Sequence, residues 1–600
     1  MRLRTILVSL ALFAPLAHAQ DWRTPTEVSD YRTTPDYADT MAYIERVAAA
    51  SPHQVRVENF GRTGEGRDLK IVIVSKDGVF DPAAIHASGR AILLVQNAIH
   101  AGEMDGKDAC LALLRDMVIN KSQAALLDHV VLVFIPVYNI DGHERRSPWN
   151  RINQNGPEVI GWRGNGTNIN LNRDYMKADA PETRAFLAMF HRWLPDFFVD
   201  DHVTDGADFQ YDVTFTIDDT PNVAPATAQW IDQSVTPELV REVDSAGHLA
   251  FPHLLDLNDE TDPAQGLAFS ALGPRFSNGY MILENRPGLL VEMHMLKDYK
   301  TRVTGNYAIL RALLEVMNRD AAKLIALNKQ ADEDAAKISG QPFPLEVGWS
   351  GQTTPVDFRG SKFTRELSAV SGTMRVSYTH EPWNATLPLG AGGKVTLTTT
   401  PPAAYIVPPQ WSQVIGVLEA HGIAVRRTTT PWTGSAERYR CSGMQWQQHP
   451  FEGRHPTFRG EGGGAAPGHY GTCVLSTETM TFPAGSAVIM LNQRLNKVAV
   501  EWLEPAAPDS ALQWGFFDSI FEQREYGEGY VLEKLASEEL DKDPTLKAEF
   551  EHRIETDPQF AASPRARLEF FYDRSPWGKA NRVGEYPVGR LLSLDGLPLP

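Results

Sequence analysis

The chain has only three cysteines in 600 residues, which argues against a cysteine-based active site. Beyond the N-terminus, no stretch reaches about 18 uninterrupted apolar residues, so nothing else there should span a bilayer. Basic residues are in deficit: 57 Lys and Arg face 75 Asp and Glu, a formal charge of −18. A nucleic-acid binder needs clustered Lys and Arg to replace phosphate counterions, so nucleic acid is not expected as the main partner. There is no repeat of fixed period. Gly and Pro are not in excess, which excludes a collagen-like fibre and a mostly disordered chain. What remains is 42% apolar and 22% charged residues, the balance of a soluble globular protein. The length exceeds what one core holds (domains run to about 100–200 residues), so two or more domains are expected.

The N-terminus reads Met1-Arg2-Leu3-Arg4, then a largely apolar run from Thr5 to Ala14, then Ala17-His18-Ala19. A basic start, a short apolar middle and a small-x-small exit describe a cleavable export signal over 1–19. The mature chain would begin at Gln20, in the periplasm or outside the cell. An oxidising compartment would permit Cys441 and Cys473 to pair, whereas Cys110 reads as a small buried apolar residue.

From about Asp36 to Leu327 the pattern alternates strand and helix. Ala91–Val95 and Val130–Ile135 are continuous apolar runs, as buried parallel strands show. The predicted fold class is therefore α/β, a mostly parallel or mixed sheet with helices on both faces, spanning residues 20–340. Residues 341–600 read as an accessory region of one or two α/β domains. There Lys394–Thr398, Ala403–Val407 and Gly422–Val425 look like strands, Trp411–Ala420 and Lys534–Ile554 look helical, and Gly453–Gly468 reads as an exposed loop.

Chemistry concentrates where strands end. Asn97-Ala98-Ile99-His100-Ala101-Gly102-Glu103 follows an apolar strand directly, and Phe197-Phe198-Val199 runs into Asp200-Asp201-His202. Leu289-Leu290-Val291 runs into Glu292, and Phe134 to Tyr138 runs into Asn139-Ile140-Asp141-Gly142. Charged groups at the end of a buried strand are costly unless paired or coordinated. In an open α/β sheet such ends face one crevice. His100, Glu103 and His202 could share one metal ion with Glu292 nearby, and two His plus a carboxylate is a catalytic zinc pattern.

These residues resemble those of the zinc metallocarboxypeptidases of the carboxypeptidase A type. His100-Ala101-Gly102-Glu103 resembles that family's His-x-x-Glu zinc motif and His202 its third ligand. Asn139-Ile140-Asp141-Gly142 is similar to its Asn-Pro-Asp-Gly turn. Asn170-Leu171-Asn172-Arg173 resembles its Asp-x-Asn-Arg segment, Pro181-Glu182-Thr183-Arg184-Ala185 matches a downstream segment, and Glu292 resembles its general base. The resemblance covers about Asp36 to Leu327. It implies one Zn2+ per chain and a peptide substrate with a free C-terminal carboxylate held by Asn172 and Arg173. It also implies an arginine at the oxyanion, for which Arg151 is the first candidate and Arg163 the second. A tyrosine over the substrate is implied as well, for which Tyr280 is a candidate that a packing role would fit equally. Asn170 departs from the family's Asp, a partner that orients a zinc-ligand histidine and raises its basicity. Two other functions remain open at this point: a zinc amidase acting on cell-wall peptides or acylated amino acids, and a non-catalytic binding protein on the same scaffold.

Overall fold

The computed structural model describes residues 21–204, 206–218, 220–457 and 471–600. The expected export segment 1–19 and residues 458–468 of the Gly-rich loop lie outside them.

Eight strands build the first sheet: β1 (Val55–Arg62), β2 (Asp68–Val74), β3 (Ala91–Asn97), β4 (Val130–Ile135), β5 (Phe197–Val203), β6 (Val213–Ile217), β7 (Ala250–Phe251) and β8 (Gly288–Met293). Their order is β1-β2-β4-β3-β5-β8-β6-β7. Strands β4, β3, β5 and β8 are mutually parallel neighbours, while β1, β2 and β6 join antiparallel, so the sheet is mixed. The parallel strands are buried along nearly their whole length, which explains their unbroken apolar runs. Side chains alternate between two cores. Ala91, Leu93 and Val95 pack under helices Asp105–Val118 and Tyr299–Ala335, and Ile92 and Leu94 pack with Phe186, Phe190 and Trp193 of helix Pro181–Trp193. No helix among the described residues is long and apolar enough to cross a membrane.

The second of these cores does not stop at residue 340. Tyr405, Val407, Trp502 and Trp514 belong to the same cluster as Ile92 and Leu94. The C-terminal half thus extends the core on one face of the first sheet, beyond the helix Pro181–Trp193. It holds a long antiparallel ribbon, β9 (Phe343–Leu367) with β10 (Met374–Thr399), and a six-stranded antiparallel sheet. In that sheet, Trp432–Ser442 pairs with Thr472–Phe482, Cys441 stands opposite Cys473, and the two are joined by a disulfide. Cys110 is a buried free thiol.

Local differences from the sequence reading have physical causes. The strand expected at 422–425 is irregular, and only Arg426–Arg427 pairs, at a sheet edge. The helix expected over 534–554 is two helices, Gly529–Lys542 and Pro544–Thr556. Pro544 cannot continue the first but suits the opening turn of the second, where Asp543 accepts the backbone N–H groups of Thr545 and Leu546.

Candidate metal centre

The parallel order β3-β5-β8 sets three chain segments side by side at one sheet edge. His100 and Glu103 lie just past β3, in the turn before helix Asp105–Val118. His202 sits in β5, in register with Glu292 of β8. Register neighbours on adjacent strands project to the same face, so Glu292 shares the side of the sheet on which His202 works. The turn after β3 is tight: Ala98 has a left-handed φ of +56°. Gly102 is required there, because a Cβ would come within 2.6 Å of Arg151 Cδ and 3.2 Å of the Gly161 carbonyl oxygen.

Three buried donors converge. His100 Nδ1 lies 3.1 Å from Glu103 Oε1, His202 Nδ1 lies 2.9 Å from Glu103 Oε2, and the two Nδ1 atoms are 3.1 Å apart. The outer nitrogens are occupied: His100 Nε2 faces Asn170 Oδ1 at 3.0 Å and His202 Nε2 faces Asp200 Oδ2 at 2.8 Å. The Asn170 and Asp200 oxygens place a proton on each Nε2 and leave each Nδ1 facing inward as the ligand atom, an assignment made from the network. Two inward imidazole nitrogens beside a carboxylate suit a metal cation, which takes the place of the proton that His202 holds without it. A tetrahedral zinc with bonds of about 2.0–2.1 Å separates its ligand atoms by about 3.3–3.4 Å, close to the spacing here, so the donor set fits zinc. Burial alone would favour neutral His202, but the Asp200 and Glu103 carboxylates outweigh it and hold its pKa well above the ordinary value. Burial would likewise favour neutral Glu103, yet His100 and Arg151 keep its pKa well below the usual carboxylate range. Burial, with Arg163 nearby, keeps His100 well below its ordinary pKa.

Two arginines border this cluster. Arg151 Nη1 lies 2.6 Å from Glu103 Oε1, with a side chain 13% exposed. Arg163 Nη1 stands 3.6 Å from the same oxygen with 43% of its side chain exposed. Arg173 donates to the Asn172 carbonyl at 2.8 Å and lies over the Phe276 ring at 4.1 Å. Burial, with Arg163 and Arg275 close by, lowers its pKa to about 10, so it stays cationic near neutrality.

Three expected positions take other or additional work. Tyr280, a candidate for contact with substrate, is corrected: it is fully buried, and its hydroxyl bonds Glu284 Oε1 and His421 Nδ1, both at 2.7 Å. It therefore joins the two halves of the chain away from the metal cluster. Asn172 uses Oδ1 to accept the Ser277 N–H at 2.8 Å and sets Nδ2 3.3 Å from His202 Nε2. The Asn139–Gly142 turn is structural, with Asn139 capping a short helix and Asp141 accepting from Thr63 and Arg67. Two contributors carried no assigned role in the sequence reading. Asp200 was visible as a carboxylate two residues before His202, the spacing that lets it reach the same face of a strand. Glu452, which accepts the Asn170 N–H at 2.8 Å, had no local signal, since 282 positions separate the pair.

The family match falls on the segment that holds this cluster. Residues 40–203 match the family model described as "Zinc carboxypeptidase", a span that contains all three metal donors. "Carboxypeptidase 2" of Trichophyton tonsurans is 20% identical over 510 residues, covering 82% of this chain and 86% of that protein. Its namesake in Trichophyton rubrum is 21% identical, covering 81% and 85%. Among solved structures, carboxypeptidase A of Helicoverpa armigera is 15% identical with a TM-score of 0.37, covering 49% of this chain and 74% of that one. The metallo-carboxypeptidase of Burkholderia cenocepacia is 16% identical with a TM-score of 0.35, covering 47% and 69%. Residues 40–203 therefore carry the match to a zinc carboxypeptidase domain.

Proposed function

We propose that the protein is a zinc-dependent exopeptidase that removes single residues from the C-terminus of peptides. The observation that carries this reading is the convergence of His100 Nδ1, Glu103 and His202 Nδ1 beside a strand on which Glu292 is in register with His202. Zinc, when bound by the three donors, supplies Lewis acidity that brings water's proton loss close to neutral pH. Glu292 takes the proton from the attacking water and delivers it to the leaving amine, so one carboxylate serves as base and then as acid. Arg173 holds the substrate's terminal carboxylate with the paired donors of its guanidinium, on the platform of Phe276. Asn172 shapes this subsite through Ser277. The developing oxyanion falls to Arg163 rather than Arg151: Arg151 is already committed to Glu103 at 2.6 Å, and Arg163 keeps the more open guanidinium beside it. Arg151 then fixes the orientation of Glu103.

Export fits the same reading. The N-terminal signal pattern and the Cys441–Cys473 disulfide both favour an oxidising compartment outside the cytoplasm.

Product mass analysis of a mixed peptide pool, in free-acid and C-terminally amidated forms, tests the proposal. Expected are single C-terminal residues released from the free acids alone, abolished by a chelator and restored by zinc. Internal cleavage, or activity confined to cell-wall peptides, would contradict it.

A further inference from the structure

One turn of the C-terminal half grips both ends of the segment that carries Asn172 and Arg173. Phe451 and Arg454 close on each other through paired backbone hydrogen bonds, Phe451 N–H to the Arg454 carbonyl at 2.8 Å and the reverse at 3.1 Å. Between them, Glu452 and Gly453 have φ of +49° and +78°. Gly adopts the left-handed region freely, whereas Glu does so at a cost and persists there where its surroundings hold it. Here they do. Glu452 Oε2 accepts the Asn170 N–H at 2.8 Å, and the Arg454 guanidinium forks onto both oxygens of Asp179 at 2.7 Å each.

Asn170 is the residue that orients His100, through Oδ1 at 3.0 Å from Nε2, and the same oxygen accepts the Asn172 N–H at 3.0 Å. A neutral amide there orients the imidazole but lends it no negative charge. Glu452 brings a carboxylate to this residue by another route, through its peptide N–H. The two contacts use different groups of Asn170, so the Glu452 charge reaches His100 through space, across a buried region where screening is weak.

We propose that Glu452, from outside the carboxypeptidase domain, is a positioning residue for the zinc site. It fixes Asn170 against His100 and supplies the negative potential that an aspartate at position 170 would otherwise bring. It touches neither substrate nor metal and meets the site through Asn170. The inference rests on the reading of His100, Glu103 and His202 as zinc ligands. It also gives the C-terminal half a task beyond extending the core.

The test is a double-mutant cycle on the full chain with Glu452→Gln, Asn170→Asp and both together. Zinc affinity is measured by chelator competition at pH 8, with the thermal midpoint of each metal-stripped protein as a folding control. Glu452→Gln is expected to weaken zinc binding about 10-fold or more, in line with outer partners of metal-binding histidines, with an unchanged metal-free midpoint. In the Asn170→Asp background the same change is expected to cost less than about 3-fold, because the aspartate replaces the lost charge. The proposal is overturned if Glu452→Gln binds zinc like the parent, or if it costs the same factor in both backgrounds. A metal-free midpoint that falls in step with affinity, or failure of Glu452→Gln to fold, would show Glu452 to be a docking residue and overturn it equally. A parent chain that binds no zinc would overturn the reading of the site itself, and this inference with it.

Discussion

Exchanging Glu292 for Gln is expected to lower kcat by about 10²–10⁴-fold, the range for loss of a general acid–base group, while zinc stays bound at one per chain. Glu292 is one strand over from His202 and in register with it, the placement from which the proposed base would act without serving as a ligand. Gln keeps the shape and loses the proton acceptor. KM should change little, because the proposed contact with the peptide carboxylate is Arg173. Steady-state kinetics together with metal content of the same sample read both halves of this expectation. A variant with near-parental kcat would remove Glu292 from the mechanism, and one that sheds zinc would make it part of the metal cage.

The second large effect is at Arg173. Replacing it with Ala is expected to raise KM for free-acid peptides by about 10²–10⁴-fold, since two hydrogen bonds to a charged group contribute about 1.5–3 kcal/mol each. The amidated form of the same peptide gains nothing from Arg173, so the preference of kcat/KM for free acid over amide should collapse. Lysine should restore only part of it: an ammonium lacks the planar fork and the flat face that rests on Phe276, 4.1 Å from the guanidinium carbon. Unchanged discrimination between acid and amide in Arg173→Ala would place the carboxylate elsewhere.

The readability of the sequence follows interaction range. Strands β3 and β4 announce themselves because burial on both faces demands unbroken apolar runs, and His100, Glu103, His202 and Glu292 stand out because each ends such a run with a charge that burial penalises. Helix boundaries with local causes, such as the break at Asp543-Pro544, are legible in the same way once the proline is weighed. Long-range packing leaves no such trace. Residues 341–600 read as an accessory region, yet Tyr405 and Trp502 belong to one core with Ile92 and Leu94. Tyr280 stands a short way before Glu292 in the sequence, where a packing role fits equally, and its hydroxyl is held by His421 from the other half of the chain. Arg151 and Arg163 are indistinguishable as letters, and their different exposure, 13% against 43%, arises only when the loop folds back over Gly102. Glu452 lies 282 positions from Asn170, beyond any spacing rule.

The proposed chemistry needs His100, Glu103 and His202 to form a single zinc site. Equilibrium zinc titration of the metal-stripped chain, run in parallel with His202→Ala, tests that most directly. The account expects one tight site per chain in the parent, with proton release as zinc displaces a proton from His202, and loss of that site in the variant. Parental zinc stoichiometry and affinity in His202→Ala, or no stoichiometric binding by the parent, would contradict it.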